Sequence, residues 1–235
     1  VGVANERSIA WAIAQKLHEG GAELAFTYLG EALERRVRPL AESVDAKLIE
    51  PCNVADDGQI DALFDAIKKQ WGHLDFLIHS VAFANKEDLE GRFVTTSRAG
   101  FQMAMDISAY SLVALARRAE PLMEGRDGSI ITLSYYGAEK VVPNYNVMGV
   151  AKAALEACVR YLAWDMGPRK IRVNAISAGP VKTLAAAGIR NFRSMLADAA
   201  EKTPLKENIS AEDVGELAAF LCAPGGKHMT GTTLY

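Results

Sequence analysis

A tyrosine and a lysine held on one surface can do carbonyl chemistry. The ammonium group stabilises negative charge near the phenol, and it can also grip the ribose hydroxyls of a nucleotide cofactor. Two such pairs compete here, Tyr136-Gly-Ala-Glu-Lys140 and Tyr145-Asn-Val-Met-Gly-Val-Ala-Lys152. Residues four apart face the same way only within one helix. Pro143 follows Lys140 closely and Gly137 lies inside the first pair, so that pair belongs in a loop. The second pair begins just after Pro143-Asn144, a plausible helix entry. Its spacing makes about two turns, with both side chains on one face ~10 Å apart along the axis. The helix then runs through Ala153, Ala154, Leu155 and Ala157 to Met166, and Gly167-Pro168 ends it. Spacing alone is unspecific, since a helix-entry aromatic and a solvated lysine give the same pattern. Its meaning depends on the elements around it.

Those elements alternate. Apolar runs at Glu23–Tyr28, Ala46–Cys52, Leu74–Ser80, Ser129–Ser134 and Ile171–Ser177 read as strands covered on both faces. Between them lie helix patterns at 8–19, 30–43, 57–71, 99–122 and 146–166, with another after Ala211. This β-α alternation predicts an α/β fold, a doubly wound parallel sheet with helices on both faces, in one domain spanning 1–235. A strand is expected before the first helix and Thr232–Tyr235 looks like the start of a last one, so both ends are expected to be clipped. Ser8 is the expected N-cap of the first helix, and Gly20-Gly21 its end.

In such a sheet, ligands sit outside the carboxyl ends of the strands. The loop before the first helix, Gly2-Val-Ala-Asn-Glu-Arg-Ser8-Ile-Ala10, has one glycine where a GxGxxG fingerprint has three. An ordinary loop with a serine cap explains it as well as a pyrophosphate cradle does. After Tyr28 come Leu29, Gly30 and Glu31, with no basic residue at hand for a 2′-phosphate; Arg35 and Arg36 lie one helical stretch on. This favours NADH over NADPH.

Composition narrows the classes. Half of the 235 residues are hydrophobic and the formal net charge is -3, so no basic balance points to nucleic acid. No apolar stretch approaches the ~20 residues that cross a bilayer, and no membrane role is expected. The three cysteines, Cys52, Cys158 and Cys222, form no CxxC pair. They read as buried small hydrophobes in a reducing cytoplasm, with neither disulfide nor metal site.

The run Leu133-Ser-Tyr135-Tyr-Gly-Ala-Glu-Lys-Val-Val-Pro-Asn-Tyr145-Asn-Val-Met-Gly-Val-Ala-Lys152 closely resembles bacterial enoyl-(acyl carrier protein) reductases, a divergent branch of the short-chain dehydrogenases. So do Arg172-Val-Asn-Ala-Ile-Ser-Ala-Gly-Pro180 with Thr183-Leu-Ala-Ala, the segment His79-Ser-Val-Ala-Phe83, and Gly2-x5-Ser8-x-Ala10 as that family's substitute for the glycine fingerprint. The likeness covers essentially the whole chain. It implies a Rossmann-like fold and NADH-dependent reduction of trans-2-enoyl thioesters on acyl carrier protein, in a cytoplasmic homotetramer. Hydride reaches the β-carbon and negative charge moves to the thioester oxygen as an enolate.

Residue roles follow from the same resemblance. Tyr145 would hydrogen-bond the thioester carbonyl, Lys152 would hold the nicotinamide ribose, and Tyr135 would be a second active-site tyrosine. Gly2, Ser8 and Ile9 would meet the pyrophosphate, Leu29 the adenosine, and Asn53 and Val54 the adenine. Val81, Val181, Thr183, Leu184 and Ala185 would line the nicotinamide end. Ala84, Met148, Ala185, Ile189, Phe192 and Met195 would line the acyl pocket, although ordinary core packing competes for Met148, Phe192 and Met195. Many members have a larger polar residue at position 29, aspartate at 53 and glycine at 82. Leu184–Ala200 reads as a lid over the substrate, and Arg190 with Arg193 as either a contact for the acidic carrier or a solvated face. Two rivals share the fold: a carbonyl-reducing dehydrogenase, and a non-catalytic regulator that responds to NADH.

Overall fold

A computed structural model describes residues 1–183 and 192–235, apart from the side chains of Phe192, Arg193, Ser194, Met195 and Asp198. Strands β1 (Ala25–Tyr28) and β2 (Leu48–Pro51) pair in parallel. Strands β3 (Phe76–His79), β4 (Ser129–Ser134), β5 (Arg172–Ser177) and β6 (Thr233–Leu234) form a second parallel array in that order. The strands expected at 23–28, 46–52, 74–80, 129–134, 171–177 and 232–235 are present, each within the bounds read from the sequence. The strand expected ahead of the first helix meets Val1 alone. Its amino group donates to the Ile78 carbonyl at 2.9 Å, and the Ser80 N–H donates back to the Val1 carbonyl at 3.0 Å.

Side chains alternate along β4 and β5, and the two cores follow that alternation. Ile130, Val173 and Ala175 face α3 (Asp57–Trp71), α6 (Ser111–Met123) and α7 (Asn146–Met166). Ile131, Leu133 and Ile176 face α1 (Ile9–Glu19), α2 (Gly30–Ser43) and α9 (Ala211–Cys222). Both strands are buried along their whole length, which is why they read as continuous apolar runs. Helices on both faces of a parallel sheet make the doubly wound architecture.

The pattern at 99–122, expected as one helix, is three pieces. Helix α5 (Arg98–Met105) passes into a π-helical turn at Asp106–Tyr110 before α6 begins. Counted together, Arg98–Met123 is the stretch among the described residues long and apolar enough to cross a membrane, at 26 residues. Its apolar face is spent on the core instead, since Leu112, Leu115, Ala119 and Met123 are buried there. Among the described residues two helices lie outside the helix patterns read from the sequence, the one-turn α4 (Lys86–Leu89) and α8 (Phe192–Lys202).

Ser8 does stand at the N-cap of α1, but its side chain makes no cap bond. Its hydroxyl donates back to the Asn5 carbonyl at 2.5 Å. Of the cysteines, Cys52 is buried as expected, whereas Cys158 and Cys222 are only partly covered; all are free thiols.

Candidate active site

The carboxyl ends of β3, β4 and β5 open into a crevice of about 490 Å³ that runs from the start of α1 to the start of α7. That volume suits a small-molecule site. The chain enters it at Gly2, whose φ of +108° is a conformation glycine adopts freely. A Cβ there would stand 2.1 Å from the Ser80 carbonyl oxygen, so only glycine lets the two loops touch. Ser8 and Ile9 follow on the same wall. No side chain caps α1, so the N–H groups of its first turn are left without a side-chain acceptor, as an anion site requires.

The opposite wall is the loop after β3, with Val81 and Ala84 lining the crevice. Its path is set by the π turn. The buried Ser108 hydroxyl accepts from the Phe83 N–H at 2.9 Å and donates to the Phe83 carbonyl at 3.1 Å. Beneath it, His79 is fully buried between Thr132 Oγ1 and Ser111 Oγ, each at 2.8 Å. Ser111 donates to the Ile107 carbonyl, so it accepts from His79 Nε2–H. Burial holds the imidazole neutral, its pKa pushed down to about 3. This histidine braces the wall from behind.

Tyr135 ends β4 in extended conformation and its ring meets Tyr145 edge-on, with centroids 5.0 Å apart. Between them the chain makes a tight turn at Tyr136–Ala138. Tyr136 and Lys140 sit there and do not line the crevice, as Pro143 led one to expect. The Tyr145 ring lies over the turn so closely that a Cβ on Gly137 would fall 2.5 Å from its Cδ1. Asn144 and Asn146 take positive φ on either side, and the chain swings Tyr145 inward before α7 starts. Burial raises the pKa of both phenols, and Tyr135 adds to the rise at Tyr145, so both stay protonated at neutral pH.

Lys152 faces the same crevice two turns into α7, 6% exposed. Its Nζ donates to the Leu133 carbonyl at 2.7 Å. Burial lowers its pKa to about 8, partly offset by Glu156. Met148, one turn before it, also lines the crevice, and Val181 and Thr183 close the far side beyond β5.

Other expected residues lie elsewhere. Leu29, Asn53 and Val54 sit at the carboxyl ends of β1 and β2, on the same edge of the fold but outside this crevice. Leu29 is 57% exposed and Val54 is buried. Leu184, Ala185, Ile189 and Arg190 lie outside the described residues, as do the side chains of Phe192, Arg193 and Met195. The lid reading of Leu184–Ala200 falls largely on that stretch. Phe83, Leu89 and Asn144 line the crevice without having been singled out. Asn144, next to Pro143, had a turn signal; Leu89 had none.

A family model described as Enoyl-(Acyl carrier protein) reductase matches residues 2–235. A relative from Aquifex aeolicus, named enoyl-(acyl carrier protein) reductase (NADH), is 53% identical over 234 residues, which cover 100% of this chain and 87% of the relative. One of the same name from Rickettsia typhi is 56% identical, covering 100% and 89%. The solved Aquifex aeolicus reductase superposes with a TM-score of 0.95 at 53% identity, covering 99% of this chain and 91% of that one. The Anaplasma phagocytophilum reductase, solved in complex with NAD, gives 0.93 at 51% identity, covering 99% and 86%.

Proposed function

The chain belongs to the enoyl-(acyl carrier protein) reductase family, and from that premise we propose that its crevice reduces trans-2-enoyl thioesters on acyl carrier protein to saturated acyl thioesters with NADH, the last step of the type II fatty-acid elongation cycle. The whole stretch 1–235 acts as one reductase domain. The observation that carries the site assignment is the convergence of Tyr135, Tyr145 and Lys152 on one crevice whose other end is the Gly2 contact and the open N-terminus of α1.

When bound, NADH supplies the hydride that reaches the β-carbon. Gly2, Ser8 and Ile9 are the residues to hold its pyrophosphate, and Lys152, Val81, Val181 and Thr183 its nicotinamide end. Tyr145 donates its hydroxyl proton in a hydrogen bond to the thioester oxygen, where charge collects as the enolate forms. A phenol kept protonated by burial is fit for that role. Tyr135, edge-on to Tyr145, fixes the ring and borders the same oxygen site. Lys152 brings a positive charge to the same crevice. No basic residue directly follows Leu29, Arg35 being the nearer of those beyond it, which supports NADH over NADPH.

The carrier-bound substrate enters from the side of Ala84 and Met148. The surface of α7 turned away from the crevice exposes Tyr161 and Trp164, the latter 87%, and supports assembly into a homotetramer that light scattering would detect. The cytoplasm is the compartment of such an enzyme. One absorbance assay tests the activity: NADH oxidation with crotonyl thioester, with a 3-ketoacyl thioester, and with neither. Turnover is expected in the first alone. Turnover only in the second makes it a carbonyl reductase, and NADH binding without any turnover a regulator.

A further inference from the structure

Helix α7 carries a second buried charge that no step above uses. Glu156 lies one helical turn beyond Lys152 and is 7% exposed. Its carboxylate accepts a hydrogen bond from the Ser134 hydroxyl. Lys152 donates to the carbonyl of Leu133, the residue just before. Two consecutive residues at the end of β4 thus hold an anion and a cation from consecutive turns of one helix. A buried carboxylate is costly unless an opposite charge or hydrogen bonds answer it. Among the described residues Glu156 forms no direct ion pair, and Lys152 is the cation it acts on.

The groups facing this pair come from several elements. Tyr145 stands at the start of α7 and Tyr135 at the end of β4, and burial keeps both phenols protonated. His79 on β3 is neutral. Tyr235, beyond β6, touches Glu139 and lies in the field of Glu156. None supplies a positive charge. A mere tie between helix and strand would need only a neutral acceptor for Ser134; a charged one behind a desolvated lysine does more.

We propose that Glu156, gripped by Ser134, is a positioning residue for the reduction, holding Lys152 in place and cationic inside a crevice that strips away its water. The proposal rests on the reading of Lys152 as the cofactor lysine. Burial alone drives the ammonium toward its neutral form, and Glu156 opposes that drive. Without the carboxylate charge, the ammonium is lost at lower pH as pH rises.

The test uses the full-length enzyme, with NADH affinity by fluorescence and kcat/KM for crotonyl thioester followed from pH 6 to 9.5. Glu156→Gln keeps the side chain's size and an acceptor for Ser134. It is expected to move the alkaline limb of both profiles down by about one pH unit, a loss of about fivefold at pH 8 and little at pH 6.5. Glu156→Asp, which keeps the charge but draws it back, is expected to fall between. It carries the test if Glu156→Gln fails to fold. An unmoved limb in either variant, with equal loss at every pH or only a lower melting temperature, overturns the proposal. Lys152→Ala is the control for the premise: it is expected to weaken NADH binding and remove the limb. If it leaves both unchanged, the cofactor-lysine reading fails and this proposal with it. If it acts as expected while Glu156→Gln does not, only the proposal fails.

Discussion

Tyr145 owes its proposed role to what surrounds its ring. Tyr135 meets it edge-on, Gly137 leaves room beneath it, and burial keeps its proton on. Lys152 owes its proposed role to the reverse problem, a charge kept in a dry place. The two should separate in experiment. Tyr145→Phe is expected to lower kcat by about 10²–10³, the usual cost of one oxyanion donor, with NADH affinity by calorimetry nearly unchanged. Lys152→Ala is expected to weaken NADH binding first. The reverse order would reject both roles. The pair was legible in the sequence because Pro143 bars a helix from running through Tyr136 and Lys140, and one from Lys152 to the next strand has the right length. The packing of the Tyr145 ring was not. A ring resting on glycine backbone across a turn leaves no periodic signal, and neither does a serine reaching from β4 to Glu156.

Strands and long helices were legible for a plain physical reason: β4 and β5 are covered on both faces, and α7 runs unbroken from its turn to Gly167. The π turn at Asp106–Tyr110 was hidden, because its apolar pattern continues across the extra residue. Yet that turn aims Ser108 at the Phe83 backbone and Ser111 at His79, and so shapes one wall of the crevice. His79 also gives the element a pH dependence. Its folded pKa, about 3, lies below the unfolded value near 6.5. Its contribution to stability is therefore complete above about pH 6.5 and is lost as pH falls toward 3, because the unfolded chain takes up the proton first. Acid unfolding followed by circular dichroism should steepen through that window in the native sequence. In His79→Gln, stability at pH 7 should be lower but its change across the window smaller; an identical slope would assign the acid sensitivity to other groups.

Over the whole molecule, the crevice is built from stretches far apart in the chain. Gly2, Val81, Tyr135, Lys152 and Thr183 come together only when β3, β4 and β5 lie side by side. The doubly wound sheet was readable from alternation alone. The contact of Gly2 with Ser80, which joins its two loops at that edge, was not, since nothing local links residues so distant. This edge has a thermodynamic consequence. A ligand seated there binds the assembled sheet and not its parts, so its binding energy adds to the stability of the fold as a unit. At one hundred times its dissociation constant, NADH is expected to contribute about 2.7 kcal/mol, and to raise the melting temperature of a chain this size by roughly 5–10 °C in calorimetry. The crevice proposed to orient the cofactor would thus make cofactor supply a determinant of how much of the enzyme stays folded.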